Sequence, residues 1–187
     1  MIRKIFVAAI LSVIFLAAQD VSAEPNISYR VHMQDYGWRP PVGNNGEAGA
    51  IGKGKRLEAI VINCDGIEYC AHIENYGWQR WVPNGQVAGT VGESLRLEAL
   101  RIRLRGSLAD RYDIYYRVYV RNEGWQDWVR NGRVAGTEGR SLRIEAVQIR
   151  LVNKNGGYDD YDDDDYYDDY DDYDDYDDRY NRRHRRW

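Results

Sequence analysis

The sequence predicts an all-β fold: a closed, pseudo-threefold domain of three four-stranded repeats, like a β-trefoil or a β-prism, followed by a disordered acidic tail. Three observations predict it. One unit recurs three times within residues 29–152. Its segments alternate apolar and polar side chains with the period of strands, and nothing in the body reads as a helix of useful length. No copy has the atypical polar character of a repeat that caps an open array, whereas closure removes exposed strand edges.

The chain opens with an expected export signal, residues 1–23. Arg3 and Lys4 precede the apolar run of 14 residues from Ile5 to Ala18, and Val21-Ser22-Ala23 ends in the small-x-small pattern of a cleavage site. The run falls short of the about 20 residues of a membrane span. A secreted or cell-surface protein with no integral span after cleavage is expected. Residues 24–157 form the expected body, enough for one domain with a real core. They hold 19 Lys+Arg against 15 Asp+Glu, a net of +4, whereas residues 158–187 hold 14 Asp and 5 Arg, a net of −9. The chain total of −4 hides a mildly basic body and a strongly acidic tail. Cys64 and Cys70 are the two cysteines, and in an exported chain their spacing suits a disulfide across a short turn.

Within the repeat, the first strand is Tyr29-Arg30-Val31-His32, then Tyr69-Cys70-Ala71-His72, then Tyr116-Arg117-Val118-Tyr119. Gly37-Trp38 recurs as Gly77-Trp78 and Gly124-Trp125, and Trp81 and Trp128 follow three residues after the Trp in copies two and three. Asn84-Gly85 and Asn131-Gly132, with Asn44-Asn45 in copy one, read as hairpin turns. Next comes Ala48-Gly49-Ala50, or Ala88-Gly89-Thr90, or Ala135-Gly136-Thr137. In the last strand Leu95, Leu97 and Ala99 share one face, and Leu100, Ile102 and Leu104 share the other. The alternation changes phase at Glu98-Ala99 and at its two counterparts, which predicts a β-bulge or a bend there. The copies align without internal gaps, and the seven extra residues before copy three fall in Arg105 to Ile114, expected to be a surface loop.

These repeated residues resemble the ChW repeat, a clostridial hydrophobic repeat named for its tryptophan. The match spans residues 29–152 and is closest in 69–104 and 116–151. The resemblance implies an exported surface or extracellular protein built of binding modules, and it carries no catalytic residues. Copy one departs from the pattern with Pro41 at the second Trp position, Glu47 in place of Val87 and Val134, and Ala50 in place of Thr90.

The candidate ligand-binding residues are Trp81, Trp128, Trp38, Trp78 and Trp125, with His32, His72 and Tyr119 from the first strands. Residues three apart on a twisted strand point to different faces, so one Trp of each pair is expected in the core and the other nearer the surface, where an indole suits the apolar face of a sugar. Burial of both is the structural alternative. Glu58, Glu98 and Glu145 are read as buried, paired structural carboxylates. A threefold arrangement would not bring two of them to the roughly 5–9.5 Å that glycosidases need. No enzyme, cofactor or metal site is expected, because the chain shows no nucleophile–base constellation and no phosphate loop. Arg101, Arg103 and Arg105 form a stripe that meets anionic wall polymers or is simply solvated. Residues 158–178 are all Tyr or Asp, which predicts disorder. The expected function is glycan or cell-envelope polymer binding through the repeated Trp. The alternative is a protein–protein adhesion or scaffold module docking through its tail. No nucleic-acid partner is expected.

Overall fold

The computed structural model describes residues 25–155, so the signal and tail expectations lie outside the described residues. Copy one contributes β1 (Ser28–Met33), β2 (Gly37–Trp38), β3 (Val42–Gly43), β4 (Glu47–Gly49) and β5 (Leu57–Asn63). Copy two contributes β6 (Ile67–Ile73), β7 (Gly77–Trp78), β8 (Val82–Pro83), β9 (Val87–Gly89) and β10 (Leu97–Leu104). Copy three contributes β11 (Tyr112–Val120), β12 (Gly124–Trp125), β13 (Val129–Arg130), β14 (Ala135–Gly136) and β15 (Ile144–Asn153). Each copy thus has five strand segments where four were expected, because the Gly-Trp pair and the two residues after the second Trp position each make a separate short pairing. The expected surface loop before copy three contains a six-residue helix, α1 (Gly106–Arg111), pinned by buried Leu108.

All pairings are antiparallel, and they make three five-stranded sheets rather than one continuous barrel. In each, the long first and last strands of one copy form the centre, and the Gly-Trp strand folds back on the first. The fifth strand comes from another copy. β9 of copy two pairs with β5 of copy one, β14 of copy three with β10 of copy two, and β4 of copy one with β15 of copy three. The exchange therefore runs round all three copies. It also corrects the hairpin expectation. Asn45, Gly85 and Gly132 do take positive φ in turns. The strands on either side, however, pair in different sheets, so each turn hands the chain to a neighbouring copy instead of folding it on itself.

The phase change in the last strand is a bulge. His32 pairs with Ala59 and Met33 with Leu57, leaving Glu58 as the extra residue; Glu98 and Glu145 are extra in the same way. The added residue switches which side chains face inward, so Leu57 and then Ile60 and Ile62 all enter the core. Opposite them lie Tyr29, Val31 and Met33, with the equivalent residues of the other two copies.

The three core tyrosines tie one copy to the next. Tyr29 Oη accepts the Ile149 N–H at 2.9 Å and donates to the Gly46 carbonyl. Tyr69 Oη accepts the Ile62 N–H at 3.0 Å and donates to the Gln86 carbonyl. Tyr116 donates to the Arg133 carbonyl and is hydrogen-bonded to the backbone of Ile102 in copy two. Burial pushes the Tyr29 and Tyr116 hydroxyls up to about 12, and Tyr69 upward as well.

The expected disulfide is absent: both cysteines are free and buried. Cys64 sits in the core at the end of β5, in the place of Leu104 and Leu151, whereas Cys70 lies outside the core cluster, on the His72 side of β6. Side chains on opposite faces of a strand layer cannot be joined without moving the backbone. Burial raises both thiols above their usual range.

Candidate functional site

Each sheet turns one face to the core and the other outward. The outward face of β1 carries Arg30 and His32, that of β6 carries Glu68, Cys70 and His72, and that of β11 carries Tyr115, Arg117 and Tyr119. The period of two in a strand that is half buried places them there. The Gly-Trp strand brings its indole beside the last of these positions, where Trp38 pairs with His32, Trp78 with His72 and Trp125 with Tyr119. The rings meet edge to face, at centroid distances of 5.4, 5.4 and 5.8 Å.

Neither Trp of a pair enters the core. Trp38, Trp78, Trp81, Trp125 and Trp128 are all half-buried. The expectation of one inward and one outward indole counted along a continuous strand. In the structure the pairing stops after the first Trp and resumes on the same first strand just after the second, with the register shifted by one residue.

Guanidinium groups cover the indoles. Arg30 lies 4.9 Å from the Trp38 ring centroid, Arg101 4.4 Å from Trp78 and Arg103 3.9 Å from Trp81. In copy three Arg117 reaches both Trp125 and Trp128, at 4.8 and 4.7 Å, and Arg150 lies 4.3 Å from Trp128. Cation–π contacts of this kind contribute about 0.5–2 kcal/mol each. The arginine over the Gly-Trp indole changes strand between copies. It stands on the first strand in copies one and three; in copy two that position is Cys70, and Arg101, its cross-strand partner, supplies the guanidinium instead. Sequence reasoning passed over Arg30, Arg117, Arg150 and Tyr115. The signal was present as arginines in step with His32 and Tyr119 on an alternating strand.

The arginine stripe on β10 is engaged. Arg103 donates to Glu68 at 2.7 Å and Arg105 at 3.0 Å. The hydrogen bonds from Arg103 and then Arg105 hold the Glu68 carboxyl below the usual carboxylate range.

Behind this face lie the bulge glutamates. Glu58 is buried, takes hydrogen bonds from Arg56 Nε at 3.0 Å, and lies 3.0 Å from His32 Nδ1. Glu98 and Glu145 are buried likewise, bonded by Arg96 Nε and Arg143 Nε at 2.9 Å. His72 Nδ1 stands 3.2 Å from Glu98, off the line of a hydrogen bond. In copy three Tyr119 replaces the histidine. Each histidine thus lies between a buried carboxylate and an outer indole, and only His32 is hydrogen-bonded to its glutamate. Among the described residues no three His, Cys, Asp or Glu side chains gather in a metal-holding group, and no helix is long and apolar enough to cross a membrane.

Two glutamines brace the exchanged strands from this side. Gln79 Oε1 accepts the Gly89 N–H and Gln126 Oε1 the Gly136 N–H, both at 2.7 Å; copy one has Arg39 at that position.

The family model for Clostridial hydrophobic W (ChW) matches three times, at residues 32–66, 72–106 and 119–153, over more than half of the chain. The chain belongs to the ChW family. Each match runs from the His or Tyr of the first strand, through the Gly-Trp strand and the exchanged strand, to the end of the last strand or just past it. The ChW unit therefore spans parts of two sheets, not one. No curated protein and no solved structure matches the chain.

Proposed function

We propose that the ChW body is a non-catalytic binding module of an exported protein, and that it holds anionic glycan or cell-envelope polymer on the Trp–Arg faces of copies two and three. The cyclic three-sheet exchange favours a closed, β-prism-like arrangement over a trefoil, with one such face per sheet. The observation that carries the functional reading is Arg117, which spans Trp125 and Trp128 together. An indole offers an apolar surface to a sugar ring, and a guanidinium beside it offers forked donors to a carboxylate, sulfate or phosphate. Neutral sugars are the poorer fit, because the cation already lies over the ring. Copy one has a single indole and Pro41 at the second position, which makes it the weakest face.

A glycan array followed by titration of residues 24–157 tests the reading. Retained glycans should be enriched in acidic members, and Trp81→Ala with Trp128→Ala should weaken binding about 10-fold or more, in line with the loss of one or two aromatic contacts. An empty array, or an affinity untouched by the double variant, refutes it.

A further inference from the structure

The pseudo-threefold repeat gathers a second set of arginines that the Trp–Arg faces do not use. Arg56, Arg96 and Arg143 occupy equivalent positions just before the three bulges, far apart in sequence. They line one cavity of about 150 Å³, together with Gln34, Glu74 and Arg121, which are equivalent to one another at the ends of the first strands. A cavity lined by the same two positions from every copy lies on the approximate threefold axis.

Backbone bonds build it. The N–H groups of Gln34, Glu74 and Arg121 donate to the carbonyls of Arg56, Arg96 and Arg143, at 3.1, 3.0 and 3.0 Å. Each axial arginine spends Nε and one terminal nitrogen on the buried glutamate of its own copy. That contact fixes the guanidinium and leaves its other edge. Arg96 turns that edge to Glu74. Arg56 and Arg143 keep theirs, and Arg121 adds a whole guanidinium. The lining thus presents four arginines and one carboxylate, and the side chains of Arg56, Arg96 and Arg143 are only 21, 20 and 17 % exposed. Partial burial strengthens an attraction that water would weaken.

We infer that this axial cavity is an anion site for a single tetrahedral oxyanion group, phosphate or sulfate. Two pre-fixed guanidinium edges, those of Arg56 and Arg143, and the guanidinium of Arg121 supply forked donors to the oxygens of such a group, and guanidinium forks bind these oxygens in preference to spherical anions. The volume lies below the roughly 300–1,000 Å³ of pockets that enclose larger ligands, so a sugar chain does not enter. The site does not depend on the Trp–Arg faces.

The test titrates the full chain with inorganic phosphate and sulfate against chloride at matched ionic strength, following arginine Nε–Hε resonances by NMR and the thermal midpoint. Saturable shifts that include Arg56, Arg96 and Arg143, with a rising midpoint, are expected. Arg121→Gln should weaken binding about fivefold or more. Glu74→Gln, which removes the carboxylate from the lining, should tighten it. Trp81→Ala with Trp128→Ala should leave it unchanged, so failure of the glycan reading and failure of this one are separable. Competition by glucose 6-phosphate assigns the group to a carried phosphate ester, and its failure to compete assigns a free anion; either result keeps the site. Shifts no larger than with chloride, or equal affinities in the wild type, Arg121→Gln and Glu74→Gln, overturn it.

Discussion

Gly89 governs a contact between two copies through an atom it lacks. A Cβ there would stand 2.3 Å from the Glu58 carbonyl oxygen and 2.5 Å from Ala59 Cα, and φ is +111. Gly49 and Gly136 meet Glu145 and Glu98 in the same way. The Ala-Gly and Glu-Ala motifs are therefore two halves of one joint: the exchanged strand presses against the bulge, and the next N–H, that of Thr90, donates to the Glu58 carbonyl at 2.9 Å. Gly89→Ala should cost about 3 kcal/mol or more, from backbone strain and overpacking combined. Gly92→Ala, where φ is +84 but nothing lies within 4 Å, should cost only about 1 kcal/mol. Denaturant midpoints of the two variants check the contrast. Both glycines are visible in the sequence as repeated positions. Their difference is not, because it depends on which backbone lies opposite.

At the level of the strand, the face of a residue was legible and its partner was not. Period-two alternation puts Tyr29, Val31 and Met33 inward and Arg30 and His32 outward, and the phase change at Glu98-Ala99 marks the bulge. Which guanidinium covers which indole is a matter of register. In copy three Arg117 stands opposite Gln148; in copy two Cys70 stands opposite Arg101. The same stack is thus made from either side of one cross-strand pair. Arg101→Gln should cost about 1 kcal/mol and shift indole emission to the red as the Trp78 ring loses its cover. Adding Cys70→Arg, which recreates the arrangement of copy three, should restore much of both. A double variant no better than the single one would show that the stack has no role in holding Trp78.

Across the molecule, the copies are joined by exchanged strands and by buried tyrosine hydroxyls. Tyr29 bonds to Ile149, which brings the beginning of the body to its end. Tyr29 and Tyr116 titrate near 12 in the folded state and about 10 when unfolded. The unfolded chain loses these protons first, so their contribution to stability is full below about pH 10 and is lost as pH climbs toward 12. The denaturation midpoint should fall steeply over that window. Tyr116→Phe should start lower at pH 8, having lost its hydrogen bond, and then fall less. A wild-type midpoint unchanged to pH 11.5 contradicts this account.

The repeat, the strand periodicity, the bulge and the turn glycines are local properties, and local sterics and hydrophobic alternation write them into the sequence. From them the all-β class, the three copies and the inward faces follow without coordinates. The separation of Cys64 from Cys70, the passage of each Asn-Gly turn into another sheet, the arginines over the indoles and the axial cavity were decided only by the tertiary structure. Each depends on residues from different strands or copies meeting in space, and the pairing register that brings them together involves strands of all three copies. The Gly-Trp repeat thus specifies a unit that is incomplete alone, and what the unit presents to a ligand is set where its neighbours close on it.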